Sequence, residues 1–153
     1  MSVDPSRVMQ DPQLWKRVGV GLGLGRVALG IVFWKAPVVS VRVAGLDALS
    51  APSADWLARM TAGRDVAIGA GTAAAVLRSD STPVERSAWY LAGAVADLGD
   101  AVSIRRGIRE GRLARLPALG ASTGAAVAVV VGLAAIGHEV AVSRTPTAAA
   151  PRA

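Results

Sequence analysis

The sequence predicts an all-α fold, an integral membrane four-helix bundle, and three observations point to it. The chain has 153 residues, 52% hydrophobic and 18% charged, and its charges gather in clusters between nearly charge-free stretches. Four of those stretches approach the roughly 20 mainly apolar residues that a helix needs to cross a bilayer. All four Trp lie near the ends of the stretches, where amphipathic rings prefer the headgroup layer.

The expected organisation is a flexible tail over 1–14, a bundle over 15–142 and a disordered Pro/Ala tail over 143–153. The first span, 18–34, is interrupted only by Arg26 and is bracketed by Trp15 and Trp34. Gly19, Gly21, Gly23, Gly25 and Gly30 fall inside it. Each would cost about 1 kcal/mol against Ala in a water-exposed helix, whereas in a bilayer small residues let helices approach closely. This span does not read as a secretory signal, because the apolar run starts late and no small-residue cleavage site follows Trp34. The second span, 56–77, opens at Trp56 and carries Arg59, Arg64 and Asp65. The third, 87–104, opens beside Trp89 and Tyr90 and carries Asp97 and Asp100. Their ionisable residues lower the hydropathy of both. The fourth, 116–137, holds no charge.

The first loop contains Pro37 and Pro52, and its piece 38–49 reads as a short helix lying on the membrane or over the bundle end. The second, 78–86, is short and polar, which fits a tight turn between antiparallel helices. The third is basic: Arg105, Arg106, Arg109, Arg112 and Arg115 are opposed only by Glu110. Such clusters mark cytoplasmic loops, so the reading is a multi-pass inner (plasma) membrane protein. The density of this loop favours both termini outside, while the Lys and Arg of the two sides are nearly even, eight on this loop's side and seven on the other. The same arginines suit anionic membrane lipids or an acidic partner. Nucleic acid is not an expected partner, since the net charge of +6 comes from membrane-flanking arginines without a recognisable nucleic-acid module.

Five ionisable residues fall at depth: Arg26, Arg64, Asp65, Asp97 and Asp100. A charge at the bilayer centre costs at least about 2.5–3.5 kcal/mol, so such residues face the bundle interior and pair. Asp97 and Asp100, three apart, share a helical face. The expected arrangement joins Arg26 and Arg64 to that face, with Asp65 completing the network. Arg suits this role because its fork binds a carboxylate bidentately. Gly19-xxx-Gly23, Gly21-xxx-Gly25 and Gly120-xxx-Gly124 are small-xxx-small pairs. They promote close contact within the bundle or with a partner's helix.

The absence of Cys excludes a disulfide scaffold and a Cys-liganded zinc site, and one His argues against a histidine metal cluster. Ser87, Ser103, Ser122 and Thr123 have no nearby base, and His138-Glu139 reads as a polar pair at a helix end. No cofactor, metal site or catalytic residue is predicted, so the chain reads as a non-enzyme.

Two resemblances bear on this reading. The run Asp97-Leu98-Gly99-Asp100-Ala101-Val102-Ser103-Ile104-Arg105 resembles half of the CDP-alcohol phosphatidyltransferase motif, Asp-x-x-Asp-Gly-x-x-Ala-Arg followed by a second aspartate pair. Ala101 and Ile104 depart from it, and the second pair, needed for a two-metal site, is missing. Arg26 in a Gly-rich first helix, the stretch Ala62-Gly63-Arg64-Asp65-Val66-Ala67-Ile68-Gly69, and Ala96-Asp97-Leu98-Gly99-Asp100 resemble a group of small four-helix membrane proteins common in actinobacteria. That resemblance covers about residues 15–140 and implies a four-helix bundle without implying a chemistry.

The leading functional expectation is a non-catalytic accessory subunit that stabilises a larger inner-membrane assembly of other integral membrane subunits, an envelope lipid transporter being one host. The second is a small proton-coupled carrier or channel using Asp97 and Asp100. The third is a degenerate phosphatidyltransferase.

Overall fold

A computed structural model describes residues 11–144 of the chain, and all the regular structure within them is helical. The first helix, α1 (Pro12–Lys35), starts where Asp11 accepts hydrogen bonds from the backbone of Gln13 and Leu14 at 2.9 and 3.2 Å. A carboxylate there satisfies donors that the first turn leaves unpaired, and Pro12 adds a preset φ. Residues 12–14 therefore belong to a helix, three residues earlier than the expected end of the N-terminal tail. The rest of that tail lies outside the described residues.

Pro37 ends α1 and opens a short helix, α2 (Pro37–Val43). The helix expected within 38–49 is thus present but earlier and shorter. Gly45 ends it at φ +105°, a conformation a Cβ would strain. Asp47 then accepts from the backbone of Leu49 and Ser50 at 2.8 and 2.9 Å, turning the chain into the 3-10 turn Ala51–Ala54. Val41, Ala51 and Ala58 pack together, fastening α2 to the start of α3 (Asp55–Leu77).

Helix α4 (Pro83–Arg109) starts at Thr82, whose hydroxyl accepts from Glu85 N–H at 3.1 Å. It ends at Gly111, φ +68°, where Arg112 N–H reaches back to Gly107 at 2.9 Å. That is a left-handed helix stop. Helix α5 (Arg115–Arg144) runs seven residues beyond the expected end of its span and takes in residues 143 and 144 of the expected C-terminal tail. The remainder of that tail lies outside the described residues.

The long helices alternate in direction and form two antiparallel pairs. Helix α1 packs along α3, and α4 along α5, while α1 and α5 barely touch. The α1–α3 contact is close because Gly23 and Gly69 face each other: a Cβ on Gly23 would sit 2.7 Å from the Gly69 carbonyl oxygen. At one end of the bundle the Gly45 carbonyl accepts from Ala114 N–H at 2.7 Å, joining the first and third loops. At the other end Trp15 stacks on His138, ring centroids 5.3 Å apart.

The interior is built from small and polar residues. Apart from Val41 and Tyr90, the buried apolar residues are all alanines, and the largest side chain under 2% exposed is Ser122. Large apolar side chains point outward on every long helix, among them Leu24 and Ile31, Met60 and Val66, Leu91 and Val95, Val127 and Val130. A water-soluble core normally collects the large aliphatic residues instead. Two helices, α1 and α5, are long and apolar enough to cross a membrane, whereas α3 and α4 do not meet that measure. The physical reason lies in their charges, since α3 carries Asp55, Arg59, Arg64 and Asp65 while α4 carries Glu85, Arg86, Asp97, Asp100 and three further arginines.

Candidate functional site

The five deep charges meet at mid-length of the long helices. Arg26 projects from α1 and crosses to α4, where it donates to the Gly93 carbonyl at 2.9 Å and pairs with Asp97. Its other terminal nitrogen donates to Asp65 of α3 at 3.1 Å. Arg64 holds Asp100 with two hydrogen bonds, at 2.9 and 2.7 Å, and reaches Asp65 Oδ1 at 3.2 Å. Asp65 therefore takes both arginines on one oxygen, and the network links three helices. Asp65 and Asp97 are each 8% exposed. Within the network three carboxylates face two guanidinium groups.

A cleft of about 610 Å³ opens beside this network, between α1 and α5 and under α2. Arg26, Asp65, Asp97 and Asp100 are the charged residues of its lining. Its existence depends on small residues. Gly21, Gly25, Ala121, Gly124 and Ala125 line it, and a Cβ on Gly21, Gly25 or Gly124 would meet nothing within 4 Å.

The glycines of the expected packing pairs thus divide. Gly19 and Gly23 are buried inside the bundle, Gly19 against Tyr90 and Val76 and Gly23 against Gly69 and Ala73. A Cβ on Gly21, Gly25, Gly120 or Gly124 would meet nothing within 4 Å, and three of these glycines line the cleft. The reason is register: glycines four apart share a helical face, and the two α1 pairs, offset by two residues, fall on different faces.

The basic arginines are exposed. Arg105 donates to Ser122 Oγ at 3.2 Å, tying α4 to α5. Arg106 pairs with Glu110 at 2.7 Å and Arg112 pairs with the same carboxylate. Those two arginines, Arg106 first, hold the Glu110 carboxyl below its usual range. In the second loop, Arg78 bridges Asp80 and Glu85, each at 3.1 Å, and lowers the Asp80 pKa through the hydrogen bond. Asp47 is lowered likewise, chiefly by the Ser50 hydroxyl.

One ion pair escaped the sequence reading. Arg86 of α4 grips Glu139 of α5 with two hydrogen bonds, 2.8 and 2.7 Å, and donates to the Ser81 carbonyl at 2.7 Å. Its signal was a lone acid near the end of the apolar span and an Arg near the start of another helix. Antiparallel pairing brings those two ends level. The half-motif aspartates Asp97 and Asp100 are engaged by Arg26 and Arg64. Among the described residues no group of three or more His, Asp or Glu side chains is arranged to hold a metal. Set against known proteins, the chain matches no family model, no curated protein and no solved structure.

Proposed function

We propose that the chain is a four-span inner-membrane protein acting as a non-catalytic accessory subunit that stabilises a larger membrane assembly. The observation that carries the membrane part of this reading is the inverted core: alanine, glycine and paired charges inside, large apolar side chains outside on all four long helices. A bilayer solvates such outward faces, and helices there associate through small residues and satisfied polar groups. Of the charges on α3 and α4, Arg64, Asp65, Arg86, Asp97 and Asp100 are taken up by pairing inside the bundle, among themselves and with Arg26 and Glu139. Trp15 and Trp34 stand 19 residues apart on α1, about 28 Å, close to the hydrocarbon thickness. The resemblance to small actinobacterial four-helix membrane proteins points the same way. Pairing of Asp97 and Asp100 with arginines supports a structural use of the half-motif over a metal-binding one.

The chain contains no cysteine, so single-Cys labelling reads its topology cleanly. Ser50→Cys and Arg112→Cys should label from one side of the membrane and Ser79→Cys from the other. Labelling of all three from one side would leave only α1 and α5 spanning. The accessory role is tested by tagging the chain in its source cell, extracting gently and identifying stoichiometric co-purifying subunits. Recovery alone would count against it.

A second reading, a proton-coupled carrier, is favoured by the presence of Asp97 and Asp100 in the cleft lining. It predicts proton flux in liposomes containing this chain alone, lost on Asp100→Asn.

A further inference from the structure

We infer that the cleft between α1 and α5 is a binding site for a cationic amphiphile, a molecule with one protonated amine and a single apolar chain. Charge and hydrogen-bonding capacity both select the head. The lining carries one arginine and three aspartates, and the whole network, with Arg64 included, still has one carboxylate in excess. Among the described residues, Asp97 Oδ1 and Asp65 Oδ2 accept no hydrogen bond, because Arg26 and Arg64 all approach the opposite oxygens. No fully buried side-chain oxygen lacks a partner, so these two oxygens are not sealed in. They belong to Asp97 and Asp65, whose side chains are 12% and 11% exposed and line the cleft. An ammonium group supplies three donors and the missing positive charge, whereas an anionic head would meet the excess carboxylate.

The size selects the rest of the molecule. The cleft measures about 610 Å³. It falls within the roughly 300–1,000 Å³ of small-ligand sites. Leu29, Phe33, Leu57 and Ile104 provide an apolar wall for the chain. Gly25 and Gly124 keep the volume open. The site asks only that the bundle be folded in a bilayer and does not depend on a partner subunit.

The test uses dodecylammonium with a diazirine in its chain, photolysed with the full chain in phosphatidylcholine nanodiscs, and the labelled peptides are mapped. Labelling is expected within 21–33 and 121–128, displaced by unmodified dodecylammonium. The matching dodecanoate probe should label at least about tenfold less, because like charge opposes it. Gly124→Leu should cut labelling about tenfold or more, since Gly124 lines the cleft and a Cβ there would meet nothing within 4 Å. This variant leaves the ion pairs in place, so it remains informative where Asp97→Asn fails to fold. Equal labelling by the two probes, labels confined to other segments, or full labelling of a folded Gly124→Leu bundle would each overturn the assignment. Topology mapping reads the four-span proposal separately from these outcomes.

Discussion

Arg64 on α3 and Asp100 on α4 face each other squarely, with two hydrogen bonds of 2.9 and 2.7 Å between them. They lie 36 residues apart in the chain. The pair forms the partly exposed edge of a network whose buried centre is Arg26 with Asp65 and Asp97. Helices α3 and α4 have limited direct packing, so these charges contribute much of what holds the two antiparallel pairs together.

Removing one member of the buried centre should therefore cost more than removing an edge member. Asp97→Ala leaves Arg26 with one carboxylate where it had two, and the expected loss is about 1.5–3 kcal/mol, the range for a hydrogen bond to a charged group. Asp100→Ala should cost less, because that side chain is 38% exposed. Chemical denaturation in detergent, supported by membrane abundance, reads both. Equal, small effects would remove the network from its structural role.

The Arg86–Glu139 clasp predicts measurable coupling. Charged hydrogen bonds contribute about 1.5–3 kcal/mol, and a double-mutant cycle with Arg86→Met and Glu139→Gln should return a coupling of that order. A coupling near zero would mean that the two residues act independently.

The α1–α3 contact tolerates no side chain at its centre. A Cβ on Gly69 would lie 2.5 Å from the Gly23 carbonyl oxygen and 2.9 Å from Val27 N, both backbone atoms. Gly69→Ala should destabilise by about 1–3 kcal/mol through overpacking. Gly63→Ala, on the same helix with nothing within 4 Å, serves as the control and should be neutral or slightly stabilising. Thermal melts of the two variants give the comparison.

Gly45 combines two constraints: φ +105° and a position where a Cβ would come 2.8 Å from the Ala118 Cβ. Gly45→Ala should lower stability by at least about 1–2 kcal/mol from the left-handed backbone alone. Gly111→Ala carries only the backbone cost, since nothing lies within 4 Å. The larger drop in melting temperature should be at Gly45.

Acid should loosen the second loop. Arg78 depresses the Asp80 carboxyl below its ordinary 3.8. A depressed folded pKa contributes stability above the unfolded value and loses it as pH falls through the folded one. Amide protection across residues 78–82, the intrinsic exchange rate relative to the observed rate at each pH, should be steady from neutral pH down to about 5 and fall once the pH is below the ordinary Asp value, and Arg78→Gln should abolish that step.

Much of this was legible in local sequence. Charge-poor runs marked the four long helices and Pro83 the start of one, whereas the starts at Pro12 and Pro37 and the stops at Gly45 and Gly111 carry local signals that the expected bounds did not use. That Arg26, Arg64, Asp65, Asp97 and Asp100 need partners also follows from sequence, since an ionised group among apolar residues has few alternatives. Tertiary structure alone decided the rest. It determined that Asp65 serves two arginines on one oxygen, that Arg86 meets Glu139 across 53 residues, and that Gly19 and Gly23 pack while Gly21, Gly25 and Gly124 frame a cleft. Helical periodicity assigns each residue to a face. It does not fix how far each helix rotates and slides against its neighbours, and those two quantities decide which faces meet and which space stays open.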